Sequence, residues 1–242
     1  MNIIDLHHDL NYSKNLYVRS NIPIAICHFS DNEDLKRAII GDEDILREVL
    51  EKIQDDGEKH SGGTYVKNIF SMHHQYYNIL TFSAFKDKPV VKKFKEFLFK
   101  SFKEYSEFIF DKKYDTFYTK VWMNQLVRGE FLEKHCHSGI FPTPAFTAQY
   151  DLVIPKEHPT FTCYFDVYKD ELIAPGPREQ LYGKYQKRNE EGALTLLPFF
   201  VPHRTTEVKT DEYRYTFGMD IIVEKECYED RQKGHVFFEL KE

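Results

Sequence analysis

Three histidines and one arginine carry the chemistry this sequence offers. His135 and His137 stand two residues apart in E-F-L-E-K-H-C-H-S-G, Glu130 to Gly139. On an extended strand, side chains two apart project to the same face, so one short segment can present two imidazole nitrogens to one metal ion. His203 follows far downstream in P-F-F-V-P-H-R, and Arg214 comes eleven residues later in Y-R-Y-T-F-G-M-D-I-I-V. Imidazole suits iron, zinc, copper and nickel alike, so ligand type leaves the metal open. Arg214 narrows the chemistry, because Thr216, Gly218 and Asp220 share its strand face. A guanidinium fork beside a hydroxyl suits a carboxylate, and Gly218 leaves room next to it. A metal with open positions and a nearby carboxylate anchor is what a bidentate 2-oxo acid requires.

Other reactive-looking residues read more plainly. His7-His8, His28 and His73-His74 have no third ligand near them in sequence and are expected at the surface. Cys136, between the two paired histidines, is expected on the opposite strand face as a buried thiol. Ser61-Gly62-Gly63 lacks the context of a phosphate-binding loop. Ser138 has no partner suggesting a nucleophile, and the paired carboxylates of glycoside hydrolysis are not identifiable.

These residues need a scaffold of strands. From Tyr114 onward the hydrophobic period is two, with strands expected at Phe117 to Leu126, Phe131 to His137, Phe146 to Ile154 and Thr160 to Val167. Ala193 to Phe199, His203 to Val208, Tyr213 to Val223 and Val236 to Leu240 complete the set. Asp170 to Glu191 is polar, rich in Pro and Gly, and reads as a long loop of the lid or binding type. Earlier in the chain, Asn15 to Val18, Ile22 to Ile26, Tyr65 to Phe70 and Tyr76 to Phe82 read as short extended runs. Ser30 to Asp56 reads as two short helices or one broken at Gly41-Asp42. Lys88-Pro89 opens the strongest helix, whose apolar stripe runs from Val90 to Ile109. Its lysines are interspersed with Glu96, Glu104 and Glu107, which reads as a solvated face rather than a nucleic-acid surface.

The expected fold is therefore mainly β (α+β): a double-sheet jelly roll, or double-stranded β-helix, with N-terminal supporting helices. The expected organisation is one domain over 1–242, with a helical or mixed support region at 1–113 and the β core at 114–242. Aromatics make up 16% of the 242 residues, which suits a sheet-rich core, and the net charge of −6 argues against binding nucleic-acid backbones. Four dispersed cysteines without a CxxC pair, no signal-peptide pattern and no membrane-length apolar run point to a reduced, cytoplasmic protein.

The ordered set Trp122-x-Asn124, Gly129, His135-x-His137, Phe146 to Tyr150, Leu197 to His203 and Arg214-x-Thr216 resembles the Fe(II)- and 2-oxoglutarate-dependent oxygenases, especially the small phage and bacterial ones with an H-x-H motif. The resemblance spans Phe117 to Val223. It implies that His135, His137 and His203 hold Fe(II), that Arg214 and Thr216 bind the distal carboxylate of 2-oxoglutarate, and that Asn124 lies near cosubstrate or substrate. With O2 as co-reactant, the implied activity is hydroxylation of an unactivated C–H bond in a peptide, amino acid or small metabolite, giving succinate and CO2. The chain departs from the wider pattern at His137, where an acid is usual. Either three neutral ligands leave a more positive iron, or a carboxylate such as Glu133 completes the set. Two other readings stand beside this one: a three-His thiol dioxygenase or cupin-like enzyme without 2-oxoglutarate, and a non-enzymatic jelly-roll binding protein.

Overall fold

Alternation along the central strands sorts apolar residues to one face of a sheet and polar residues to the other, and that sorting builds the molecule. The computed structural model describes residues 1–11, 17–61, 77–137, 145–165, 184–224 and 237–241. Its elements run in order: β1 Asn2–Asn11, β2 Tyr17–His28, α1 Asn32–Ile40, α2 Glu43–Ser61, α3 Pro89–Phe110, β3 Thr116–Leu126, β4 Phe146–Val153 and β5 Phe161–Phe165. Then come β6 Lys184–Arg188, β7 Ala193–Pro198, β8 His203–Thr205, β9 Arg214–Ile222 and β10 Phe238–Lys241.

Seven strands form an antiparallel sheet in the order β1-β2-β7-β4-β9-β3-β10, and β6-β5-β8 form a second, smaller sheet. Strands distant in sequence interleave in the large sheet, as a double-sheet jelly roll requires. The helices cover its outer face. Phe94 of α3 meets Tyr150 at 4.7 Å and Phe217 at 6.0 Å between ring centroids, and Phe102 meets Phe117 and Phe146 at 5.8 and 5.7 Å. Pro89 at the first turn and Asp111 in the left-handed conformation at the end bound α3. Asp42 breaks the preceding helical stretch as expected: its carboxylate accepts from the Asp44 and Ile45 main-chain N–H groups and starts α2 anew. Lys93 and Lys103 of α3 pair with Asp31 and Asp115, in keeping with a solvated helix face. Among the described residues, no helix is long and apolar enough to cross a membrane.

Several local expectations need correcting. Residues 131–137 are not a strand: they pair irregularly with β8, exchanging bonds at His135 and His203, then at Leu132 and Thr205 one residue out of step. The ladder is bulged, so the two-residue alternation assumed there does not hold. Ile79 to Thr81 is a 3-10 turn closed by the Asn78 side chain, not part of a strand, because Ile79 and Leu80 are buried under β3 rather than paired at a sheet edge. Ile22 to Ile26 belongs to a longer strand, β2, held by β1 on one side and β7 on the other. The expected loop at 170–191 contains β6, whose bonds to β5 override its polar composition. Residues 65–70 and 73–74 lie outside the described set, as do 166–183.

The aromatic layer between α3 and the sheet sets the stability of the platform. Phe102→Ala, which empties a fully buried site, is expected to cost about 3–5 kcal/mol in a urea melt.

Candidate metal centre and carboxylate site

The inner face of the large sheet is polar although it is buried. Register explains the arrangement: β9 lies between β3 and β4, and the inner-face residues Thr216, Gly218 and Asp220 have a named neighbour on both sides, Arg214 on the β3 side. Asp220 faces Lys120 and Thr147, Gly218 faces Trp122 and Gln149, Thr216 faces Asn124 and Asp151, and Arg214 faces Leu126. A cavity of about 260 Å³ opens against this face, lined by His135, Cys136, His137 and His203, with Trp122, Asn124, Gln149, Tyr164, Gly218 and Asp220 among its other walls.

The structure brings His135, His137 and His203 together. Their candidate ligand atoms lie within 4.8 Å of one another, a group that could hold a metal ion. Ring centroids are 4.4 Å apart for His135 and His203 and 5.4 Å for His137 and His203. Two of the rings are positioned by the main chain: the irregular pairing of 135 with 203 puts them side by side, while the His137 N–H donates to the Phe199 carbonyl.

Each ring is also fixed in tautomer. His135 Nδ1 lies 2.7 Å from the Glu133 carbonyl, His203 Nδ1 3.0 Å from the Val201 carbonyl, and His137 Nδ1 2.6 Å from Asp220 Oδ1. All three partners are acceptors, so each Nδ1 carries the proton and donates it. In the neutral ring this leaves the Nε2 lone pair available to a metal. The donor set fits a divalent first-row ion. Glu133, the alternative third ligand, is exposed and contributes its main-chain carbonyl rather than its carboxylate.

Electrostatics keep the rings ready. Burial pushes the His203 imidazole down to about 3, helped by the neighbouring His135 and His137. Burial also lowers His135, against the favourable bond to Glu133. For Asp220, burial opposes ionisation, but the Lys120 ammonium and His137 outweigh it and hold the carboxyl well below the usual carboxylate range. Lys120 Nζ lies 3.0 Å from Asp220 Oδ2, and both side chains are almost wholly buried.

Arg214 is 1% exposed, yet Nε and both terminal nitrogens have no hydrogen-bond partner. Its nearest acid, Asp151, is 3.8 Å away, beyond hydrogen-bond reach, and is already engaged by Lys187 at 3.1 Å and Gln149 at 2.8 Å. Burial lowers the Arg214 pKa against the opposing influence of Asp151. The Tyr164 hydroxyl is likewise buried, beside that of Thr195, and its ring is 6.3 Å from that of His203. Orphaned donors like those of Arg214 are costly in a folded interior, and a bound carboxylate would satisfy them. Asn124 donates to the Thr216 hydroxyl at 3.4 Å.

Two expectations change. Cys136 does not turn away from the site but lines the cavity, because the segment is not a regular strand. The space above Gly218 is not left open for Arg214: it holds the indole of Trp122, and an added Cβ would come within 2.4 Å of Trp122 Cε2. That indole lies 5.9 Å from the His137 ring. Lys120 and Tyr164 were missed from the sequence. For Lys120, a lysine inside an otherwise apolar period-two strand was a usable signal; Tyr164 gave none.

Fold and site together define a jelly roll with a three-histidine centre between its sheets. No protein-family model matches the sequence, and no curated protein matches it by sequence. Among solved structures, the chain is similar to the non-heme alpha-ketoglutarate-dependent carbocyclase SnoK from nogalamycin biosynthesis, with 8% identity, a TM-score of 0.52, and coverage of 90% of this chain and 92% of that one. It also matches a Pseudomonas putida prolyl-4-hydroxylase at 12% identity, TM-score 0.45, covering 83% and 88%. A third match is a 2OG-Fe(II) oxygenase family oxidoreductase from Burkholderia pseudomallei, at 13% identity and TM-score 0.40. That match covers 61% of each chain, so the present chain spans less than two thirds of that protein. At 8% identity, the likeness to SnoK shows a shared fold and nothing finer.

Two outcomes follow from the site. Trp122 is the one tryptophan in the chain, so Gly218→Ala, which forces its ring to move, is expected to shift the intrinsic fluorescence maximum. The metal-free protein is expected to lose stability as pH falls from about 6.5 toward 3, by at most about 1.4 kcal/mol per unit for His203, because the unfolded chain binds a proton that the buried ring refuses. Thermal melts across that range should show the slope, and His203→Gln should flatten it.

Proposed function

We propose that this chain is an Fe(II)- and 2-oxoglutarate-dependent dioxygenase that hydroxylates an unactivated C–H bond. The substrate class is a peptide, an amino acid or a small metabolite. One observation carries the reading: a fully buried guanidinium without a hydrogen-bond partner on the strand face that also supplies Asp220 to the three-histidine group. Among the described residues, Lys120 faces Asp220 and Lys187 faces Asp151, which leaves Arg214 the buried cation without an acid in hydrogen-bond reach. Asp151 approaches Arg214 only to 3.8 Å, so an anion would satisfy its unused donors, and a keto acid would offer its distal carboxylate to Arg214 with its other end left for the metal.

In this reading His135, His137 and His203 hold Fe(II), Arg214 and Thr216 take the distal carboxylate of 2-oxoglutarate, and Asn124 orients Thr216. Iron held there would supply O2 activation coupled to oxidative decarboxylation of 2-oxoglutarate, one oxygen atom ending in succinate (with release of CO2) and the other in the hydroxylated C–H bond. The protein contributes position. The three imidazoles are neutral, so the charge of the keto acid balances that of the metal. Trp122 and Tyr164 wall the cavity. Among the described residues Cys27, Cys136 and Cys163 form no disulfide, which supports a reduced compartment such as the cytoplasm.

Adding 2-oxoglutarate to the anaerobic Fe(II)-loaded protein is expected to produce a visible charge-transfer band. Arg214→Met is expected to weaken 2-oxoglutarate binding at least 100-fold while leaving Fe(II) binding in place. If the wild-type protein binds Fe(II) but gives no band, the oxygenase reading fails and a three-His dioxygenase or cupin-like chemistry replaces it.

A further inference from the structure

His137 stands apart from the other two histidines. His135 and His203 each donate Nδ1–H to a main-chain carbonyl two residues back, whereas His137 donates to a carboxylate. That carboxylate, on Asp220, is fully buried, 2.6 Å from the ring nitrogen, and sits on β9, a central strand of the large sheet. Its second oxygen faces Lys120 Nζ at 3.0 Å. Lys120 in turn lies over the rings of Trp122 and Phe237, at 5.0 and 5.8 Å, on a side chain with no solvent exposure. A buried acid–amine pair rarely gains stability over apolar residues of the same size, so fold stability alone does not account for this one.

We propose that Asp220 is the positioning residue of the metal centre: its buried carboxylate holds His137 with Nε2 toward the ion and supplies, one hydrogen bond away, the negative charge that three imidazoles lack. Lys120 fixes the other carboxylate oxygen, so that Asp220 presents one defined lone pair to the ring. A carboxylate accepting from a ligand imidazole raises the basicity of that ligand and locks its orientation, and losing such a partner typically weakens metal binding about 10- to 100-fold. This inference rests on the metal centre of the proposed function, not on its cosubstrate.

The test compares Mn(II) affinity, read from the electron paramagnetic resonance signal of free Mn(II), with the apo-protein melting temperature. The proteins are wild type, Lys120→Met, Asp220→Asn and the double variant Asp220→Asn/Lys120→Met. Asp220→Asn alone strands a buried ammonium and is expected to melt lower. The double variant removes both charges and should recover the melting temperature. It should still bind Mn(II) about 10- to 100-fold more weakly than wild type. Lys120→Met, which keeps the Asp220–His137 bond, should bind within about threefold of wild type.

Recovery of affinity together with stability in the double variant would show Asp220 to be only the partner of Lys120 and would overturn the proposal. So would a tenfold loss in a natively melting Lys120→Met. Wild type that binds Mn(II) but gives no 2-oxoglutarate band with Fe(II) removes the oxygenase reading and leaves this inference standing. Wild type that binds no Mn(II) removes both.

Discussion

The constraint on which this structure depends is a buried polar face. Two sheets face each other, and between them lie Lys120, Asn124, Asp151, Arg214, Thr216 and Asp220, each no more than 5% exposed. An interior of that kind is stable only if each group is answered by another or by a ligand. Register provides the answers where it can: Lys120 meets Asp220, and Asn124 meets Thr216, because β3 and β9 run antiparallel without a slip through this region. A one-residue slip would turn the whole polar file toward the helices and the phenylalanines into the cavity. The site is thus as well specified as the sheet.

The outer face supports this arrangement. Phe94 and Phe102 pack α3 onto the strands that carry the site, and the edge-to-face contacts among Phe102, Phe117 and Phe146 keep those strands in place. The apolar layer on one side makes the polar layer on the other affordable.

Much of this was legible in the sequence, for physical reasons. α3 announced itself through a long apolar stripe and Pro89, and β3, β4 and β9 through alternation that packing then reinforced. Arg214, Thr216, Gly218 and Asp220 were placed on one face by period alone, and the structure agrees. Where alternation fails, so does the reading. Residues 131–137 bond to β8 through a bulged, irregular ladder, so strand logic paired the histidines for an inexact reason and sent Cys136 the wrong way. The turn at 79–81 carries the apolar run of a strand because its residues are buried by tertiary packing rather than by a sheet. Gly218 was recognised as space, but what fills the space, Trp122, is a cross-strand neighbour that only register reveals. Lys120 escaped notice because a single strand shows a charge without showing its partner.

The anchoring of His135 and His203 on the carbonyls of Glu133 and Val201 carries one more implication. Those supports are written in the polypeptide backbone, which every residue type shares, and not in side chains. The side chain at exposed position 133 can therefore vary while its imidazole stays aimed, whereas Val201 is held by its own packing among Ile22, Ile24, Tyr164 and Leu197 and not by the bond it accepts. A centre braced this way leaves a sparse imprint in the amino-acid alphabet and a dense one in chain trajectory, in keeping with a molecule whose likeness to others surfaces in shape and not in spelling.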